Sequence, residues 1–374
     1  MKKVLVSLGT RPEAIKLAPL INELNLATDF ECVVCNTGQH KEMLDQVLDF
    51  FGIIPDYTFD IMEPNQTLAH IVSAVLKEFD NVLAQENPDI VVVQGDTPAG
   101  FASALAAFYR KIKIAHLEAG LRSGDIFSPF PEEVDRIYVS RITDFHFTPT
   151  DIATNNLIKE GYLEDKIYEV GNTVVDAQNL ALDRLSTLEQ EYFTHPNFNQ
   201  TSKTIDWSKK IILTTQHRRE NLGEAHKQIF EALAKIADSH QEVQIVFPVH
   251  LNPKVRLLAD KILSKHNNII LINPLPYDEL TFLMSKSYLI ITDSGGIQEE
   301  APSLKKPLLV TRENTERPEG VDLGVAKLVG SNYNKIIEEA DRLLTDTEYY
   351  QSMQKDVSPY GDGLTSKKVI NILR

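Results

Sequence analysis

Two carboxylic acids stand just beyond neighbouring apolar runs, where no structural need explains them. "VVVQGDT" places Asp96 past one strand-like run, and "AHLEAGLRSGD" places Glu118 past the next, followed by Gly120, Arg122 and Asp125. Neither clearly caps a helix. Acids at adjacent strand ends are placed to take and return protons. A third acidic group, in "FSPFPEEVDR", begins a helix at Pro131 and Glu132. Helix capping by itself accounts for Glu132 and Glu133.

Cations and glycines occupy the remaining strand ends. In "SLGTRPEAIKLAPL" a strand stops at Gly9, Pro12 marks a helix start, and Arg11 and Lys16 lie where the helix dipole is positive. Acids are favoured there, so two cations beside free helix N–H groups point to an anionic ligand. "TTQHRREN" sets His217, Arg218 and Arg219 past another strand, and "YLIITDSGGIQEEAP" runs from a strand through Ser294, Gly295 and Gly296 into a helix. Glycines let backbone N–H groups approach a phosphate closely. Glu300, about one turn on, is placed to accept hydrogen bonds from sugar hydroxyls. A Gly-rich turn with a solvated acidic face accounts for the same letters, and a basic triplet is often plain surface. His217 has no second His or Cys at ligand spacing, so no metal is assigned.

The elements that would carry these groups alternate. Strand-like runs "KVLVSL", "ECVVCN", "DIVVVQ", "KIAHLE", "FHFTP" and "KIYEVG" are separated by helical periodicities, the clearest from Leu68 to Leu83. "IILTT", "VQIVFPV", "NIILIN", "YLIITD" and "PLLVT" repeat the pattern after a polar, aperiodic stretch at 187–208, the best linker or excursion candidate. Continuous apolar strands alternating with helices predict parallel sheets covered on both faces. Two such sheets in series predict an α/β protein of two lobes around a cleft, with ligands beyond the C-terminal strand ends. A last helix, about 363–373, could pack on either lobe.

The totals agree with this. A chain of 374 residues is long for one core, so two domains are expected. Lys and Arg number 38 against 53 Asp and Glu, a net charge of −15. Its field would repel nucleic acid and anionic membrane, so phosphate-binding cations must be clustered locally. No apolar run approaches the ~20 residues of a membrane span, and Met1-Lys2-Lys3 leads into a strand-length run rather than a signal peptide. The two cysteines, Cys32 and Cys35, share a strand at i and i+3 and so face opposite sides; they read as ordinary buried thiols, suited to a reducing cytoplasm.

Together the motifs resemble the non-hydrolysing UDP-N-acetylglucosamine 2-epimerases. The matching stretches are "GTRPEAIKLAPL", "TGQHKEMLDQVL", "VQGDT", "HLEAGLRSGD", "SPFPEE", "HFTPT", "VGNTVVDA", "HRREN" and "TDSGGIQEEAPSLKKPLLVTRENTERPEG", in family order from residue 9 to 320. The resemblance implies two Rossmann-like domains around a central cleft (GT-B-like), with the C-terminal helix returning to the first domain. That gives an N-terminal domain of 1–170 plus 360–374 carrying the acid/base residues, and a UDP-binding domain of 171–359. It implies interconversion of UDP-GlcNAc and UDP-ManNAc without a cofactor, serving bacterial surface polysaccharide synthesis in the cytoplasm, by a homodimer. Asp96, Glu118 and Glu132 would be the acid/base carboxylates. Arg11, Lys16 and His217 would meet the phosphates or the departing UDP. Ser294, Gly295 and Gly296 would hold the diphosphate, Glu300 the ribose, and Arg317 would line the nucleotide site.

Some positions depart from the family pattern: Pro98-Ala99 replace threonines, Asp135 stands where Asn is usual, and Leu275 and Leu280 where Gln and Phe are frequent. Some members also bind a second UDP-GlcNAc beside "TxQHxxML". Here Gln39 and His40 persist, but Glu42 and Asn65 replace its other partners, so activation of that kind is not expected. The rival readings are a hydrolysing epimerase, an epimerase of a related UDP-N-acetyl sugar, a GT-B glycosyltransferase and a silent nucleotide-sugar sensor. Incubation with UDP-GlcNAc and no acceptor separates them.

Overall fold

The structure is a computed structural model that describes residues 1–374 except 40–41, 64–65, 200–203, 219–220 and 222, and leaves out the side chains of 42 and 43. Two compact units result: Met1–Leu180 with Tyr360–Arg374, and Ala181–Pro359.

The first unit is a parallel sheet of β1 (Lys2–Leu8), β2 (Phe30–Asn36), β3 (Tyr57–Thr58), β4 (Ile90–Gln94), β5 (Lys113–Leu117), β6 (Phe145–Thr148) and β7 (Ile167–Glu169), in the order β3-β2-β1-β4-β5-β6-β7. Strand direction never changes, but strand order reverses between β1 and β4. Ligands of such sheets bind at that reversal, past the C-terminal ends. β4 is buried along its whole length, as a strand covered on both faces must be. Beside it, helix Pro98–Tyr109 presents Ala99, Ala102, Ala104, Ala106 and Ala107, all buried, so helix Leu68–Glu86 can pack closely against it.

The second unit repeats the plan. β8 (Lys210–Thr215), β9 (Val243–Pro248), β10 (Ile269–Ile272), β11 (Leu289–Thr292), β12 (Leu308–Val310) and β13 (Ala326–Leu328) form a parallel sheet ordered β10-β9-β8-β11-β12-β13. Its reversal lies between β8 and β11. The two-sheet Rossmann-like architecture is as expected. Two short edge strands, β3 and β13, were not: two or three residues carry too little periodicity to read.

The stretch 187–208 is corrected. It is no linker. Helix Glu189–Phe193 and the turn Pro196–Asn199 deliver Tyr192 and Phe198 into the core of the second unit, where Ile205 is also buried. Phe198 and Trp207 pack around Phe282. Isolated aromatic anchors in polar sequence bury as well as a periodic face does, but they leave no periodic signal. The last helix, Thr365–Leu373, belongs to the first unit and packs on helix Arg11–Leu26. Cys35 is buried while Cys32 is partly exposed. Burial pushes the Cys32 thiol up to about 12, and Cys35 up as well, so both stay protonated.

Candidate functional site

Helix Arg11–Leu26 starts with a capping box. Thr10 accepts from the Glu13 N–H, and Glu13 accepts from the N–H groups of Gly9 and Thr10 at 2.9 and 2.8 Å. The other oxygen of Glu13 accepts from the Thr97 hydroxyl at 2.6 Å. This buried carboxylate therefore ties the end of β1 to the end of β4 across the strand-order reversal. It also fixes the first turn, which carries Arg11 at the helix's first position and Lys16 further along.

Glu118 follows β5 in the left-handed region, φ 63°. Such a backbone costs on the order of 1–2 kcal/mol for a non-glycine residue and concentrates at functional positions. Among the described residues three donors hold the side chain: Lys16 Nζ and Asn172 Nδ2 (3.1 Å) on one oxygen, and Gln94 Nε2 on the other. Donors of this kind favour the ionised carboxylate. Lys16, expected to face an anionic ligand, here faces Glu118.

Asp96 is bonded to the Arg136 guanidinium. Burial still lifts its carboxyl above the ordinary value, against Arg136 and Lys16 and with the help of Glu118 and Glu132. Glu132 opens helix Glu132–Ile142, and its Oε2 is buried with no hydrogen-bond partner among the described residues. Asp135 Oδ2 is in the same condition; burial, then Asp96 and Glu132, push this carboxyl up to about 7. The capping account of Glu133 is corrected. It caps no helix but accepts from the N–H groups of Ser123 and Gly124 at 3.0 and 3.2 Å, and so shapes the loop after Glu118. Arg122 is structural, paired with Glu160 at 2.7 and 3.0 Å.

In the second unit Asp293, fully buried at the end of β11, organises the residues after β8. It accepts from the N–H groups of His217 (3.0 Å) and Arg218 (2.9 Å), from Asn221 Nδ2 (3.1 Å), and faces His217 Nδ1 at 2.9 Å. Burial alone would raise its carboxyl; the His217 ring and the backbone donors hold it below the ordinary value. The ring itself is partly exposed, so its far nitrogen can reach a ligand.

Ser294 stands at the N-cap position of helix Gly295–Glu300 without a side-chain capping bond. A Cβ on Gly295 would fall 2.9 Å from Arg317 Nη1 and 3.4 Å from Arg218 Nη2. Two guanidinium groups thus come close over one glycine at a helix start, a setting that suits an anionic ligand, although Glu316 already faces Arg317 at 3.6 Å. Arg317 is steadied by Glu299 at 2.6 Å. Over Gly296 the nearest side-chain atom would be 4.0 Å away, leaving room for a ligand. Glu300, at the end of this helix, is buried. Leu275 and Leu280 pack into the core of the unit.

The structure thus brings Lys16 to Glu118 and puts Asp96 within electrostatic reach of Glu118 and Glu132. Separately, it gathers His217, Gly295 and Arg317 at the second unit's reversal. Sequence reading missed Gln94, Asn172 and Asp293, although each lies in a quoted motif at or just past a strand end. Arg219, His40 and Asn65 lie outside the described residues, as does the Glu42 side chain; Gln39 accepts from the Ala99 N–H at 3.3 Å. Among the described residues no group of three or more His, Cys, Asp or Glu is arranged to hold a metal, and no helix is long and apolar enough to cross a membrane.

Residues 22–374 match the family model described as UDP-N-acetylglucosamine 2-epimerase. The chain is 49% identical to the UDP-N-acetylglucosamine 2-epimerase of Campylobacter jejuni, covering 100% of this chain and 97% of that one. It is 47% identical to that of Escherichia coli O157:H7, covering 100% and 98%. Among solved structures it resembles UDP-GlcNAc 2-epimerase from Neisseria meningitidis bound to UDP-GlcNAc, with a TM-score of 0.90 and 45% identity over 99% of both chains.

Proposed function

The chain belongs to the UDP-N-acetylglucosamine 2-epimerase family, and from that premise we propose that it reversibly interconverts UDP-GlcNAc and UDP-ManNAc by elimination and re-addition of UDP. The C2 proton of the intact sugar is not acidic. When the C1–O bond breaks, its electron pair leaves with UDP and C1 becomes cationic. C2–H then becomes acidic, a carboxylate takes the proton, and the C–H pair closes the C1=C2 bond of 2-acetamidoglucal. Delivering a proton to the opposite face of C2 and returning UDP oxygen to C1 completes the inversion.

The residues divide this work. Glu118 enters as a carboxylate, because three donors stabilise that form. Asp96, with its raised affinity for a proton, is suited to hold one, and Glu132 supplies a third group with a buried oxygen that has no hydrogen-bond partner among the described residues. Two faces of one carbon need at least two such groups. The charge appearing on UDP is met by His217, Arg218, Arg317 and the N–H groups after Ser294, while Glu300 takes the ribose. Arg11 and Lys16 add cationic charge in the first unit. Donors already in place where charge develops lower the barrier without rearrangement.

The observation that carries this reading is Glu118, a strained, triply hydrogen-bonded carboxylate beside an Asp of raised pKa. The proposal includes a homodimer and a role in supplying precursors of bacterial surface polysaccharide. The test is incubation of purified protein with UDP-GlcNAc and no acceptor, followed by ion-pair chromatography. An equilibrium mixture with UDP-ManNAc is expected. Free ManNAc and UDP as main products would make the enzyme hydrolytic.

A further inference from the structure

Of the residues in "VGNTVVDA", only Asn172 enters the chemistry above, as one of the donors to Glu118. Asn172 is buried, at 4% exposure, and each of its polar groups has a separate task. Its backbone N–H donates to the Tyr360 carbonyl at 2.6 Å. Its Oδ1 accepts from the Val174 N–H at 3.0 Å, at the start of helix Thr173–Thr187. Its Nδ2 donates to Glu118 Oε1 at 3.1 Å.

The segment that holds Asn172 is itself locked. A Cβ on Gly171, φ 98°, would fall 2.8 Å from Thr365 Oγ1. Thr365 Oγ1 donates to the Val170 carbonyl at 3.2 Å, and Asp176 accepts from the N–H groups of Ser366 and Thr365 at 2.7 and 3.3 Å. The returning C-terminal segment, some 190 positions downstream of Asn172, therefore fixes the residue that fixes Glu118.

The geometry points to Asn172 as a positioning residue: it aims the Glu118 carboxylate and keeps it ionised, with the C-terminal segment 360–374 as its anchor. This rests on the reading of Glu118 as an acid/base group. Among the described residues, the charged or titratable groups shown to interact with Glu118 include Lys16, which pairs with it, Asp96, and His116. Burial pushes His116 down to about 4, so it is neutral during turnover. Lys16 and Asp96 remain in every variant below. A moved pH limb in those variants therefore reports the lost donor.

Asn172→Asp separates positioning from structure. Aspartate keeps an oxygen for the Val174 N–H and leaves the backbone bond to Tyr360 in place, but it replaces the donor to Glu118 with a second carboxylate. Asn172→Ala removes both side-chain bonds. A purely structural Asn172 makes the alanine variant the worse of the two. A positioning Asn172 makes the aspartate variant worse. We expect kcat at pH 7.5 to fall about tenfold in Asn172→Ala and about a hundredfold in Asn172→Asp, the scale of a lost hydrogen bond to a charged group. KM should stay within about threefold. The acid limb of kcat should move to higher pH in both variants, because Glu118 without its donor holds a proton more tightly. Thermal unfolding reads the fold separately, and Asn172→Asp should melt near the wild type. An Asn172→Asp enzyme with wild-type kcat, or an unmoved acid limb in both variants, would overturn the assignment. Glu118→Gln, assayed alongside, keeps the two claims apart. Wild-type turnover there removes Glu118 from the chemistry, whereas an inactive Glu118→Gln with an unmoved limb in Asn172→Asp removes Asn172 alone.

Discussion

The His217 ring stands 2.9 Å from the buried Asp293 carboxylate, which also accepts the backbone N–H groups of His217 and Arg218. One acid thus orients the ring and shapes the turn that carries it. The two roles separate by substitution. His217→Asn should lower kcat by about 10²-fold, the scale of a lost acid/base or charge-stabilising group, with little change in melting temperature, since the ring is partly exposed. Asp293→Asn should lower both. Its amide would turn a donor toward other donors, at a cost of about 1–3 kcal/mol. Turnover assays with thermal unfolding decide it, and the double variant should be no slower than the worse single one.

Asp96→Asn, Glu118→Gln and Glu132→Gln should each reduce kcat by at least ~10²-fold. Their affinity for UDP, measured by calorimetry, should stay within a few-fold of wild type, because the proposed nucleotide contacts are mainly His217, Arg317 and the Ser294 turn. Near-normal turnover in any one would remove that residue from the set.

Asp135 governs a pH dependence of stability. Its carboxyl is pushed up to about 7 by burial, Asp96 and Glu132, above the ~3.9 of an unfolded aspartate. The folded state therefore binds the proton more tightly. Stability linked to this group is fully present below the unfolded value and is lost as pH rises through about 7. Asp135→Asn removes the loss. Its melting temperature should exceed the wild type's by several degrees at pH 8, on the scale of about 2–4 °C per kcal/mol, and the advantage should shrink toward pH 5. Equal curves at both pH values would show that Asp135 ionises freely.

Gly295→Ala should weaken UDP binding about tenfold, as one lost charge-assisted hydrogen bond would. The added methyl falls 3.0 Å from Arg317 Cζ and displaces a flexible guanidinium, so folding should be unaffected. Unchanged UDP affinity by calorimetry would move the diphosphate away from this glycine.

All strands but β3 and β13 were legible because each is an apolar run closed by a polar cluster. Asp96, Glu118, His217, Arg11 and the Ser294 turn sit just past such runs, whereas Lys16 and Glu300 lie deeper in the helices that follow and Glu132 and Arg317 follow no strand directly. Local order also singled out Asp96, Glu118 and the Ser294 turn as candidates. What the linear chain hid was partnership at long range. Nothing near Asn172 announces Glu118, 54 positions away, and nothing near Asp293 announces His217, 76 positions away. The segment 187–208 misled for a related reason: Phe198 is buried and Trp207 partly buried against a partner on another helix, and polar neighbours conceal them.

The central claim is that the C2 proton leaves while UDP departs, and proton NMR of turnover in D₂O tests it most directly. Starting from UDP-GlcNAc, the anomeric signal of UDP-ManNAc should grow while the C2 proton signal of both UDP-sugars disappears, because carboxylates on the enzyme exchange their protons with solvent. Prolonged incubation should release traces of UDP and 2-acetamidoglucal, since the intermediate is held only by noncovalent contacts. UDP-ManNAc formed with its C2 proton retained and no trace of glycal would contradict the elimination route.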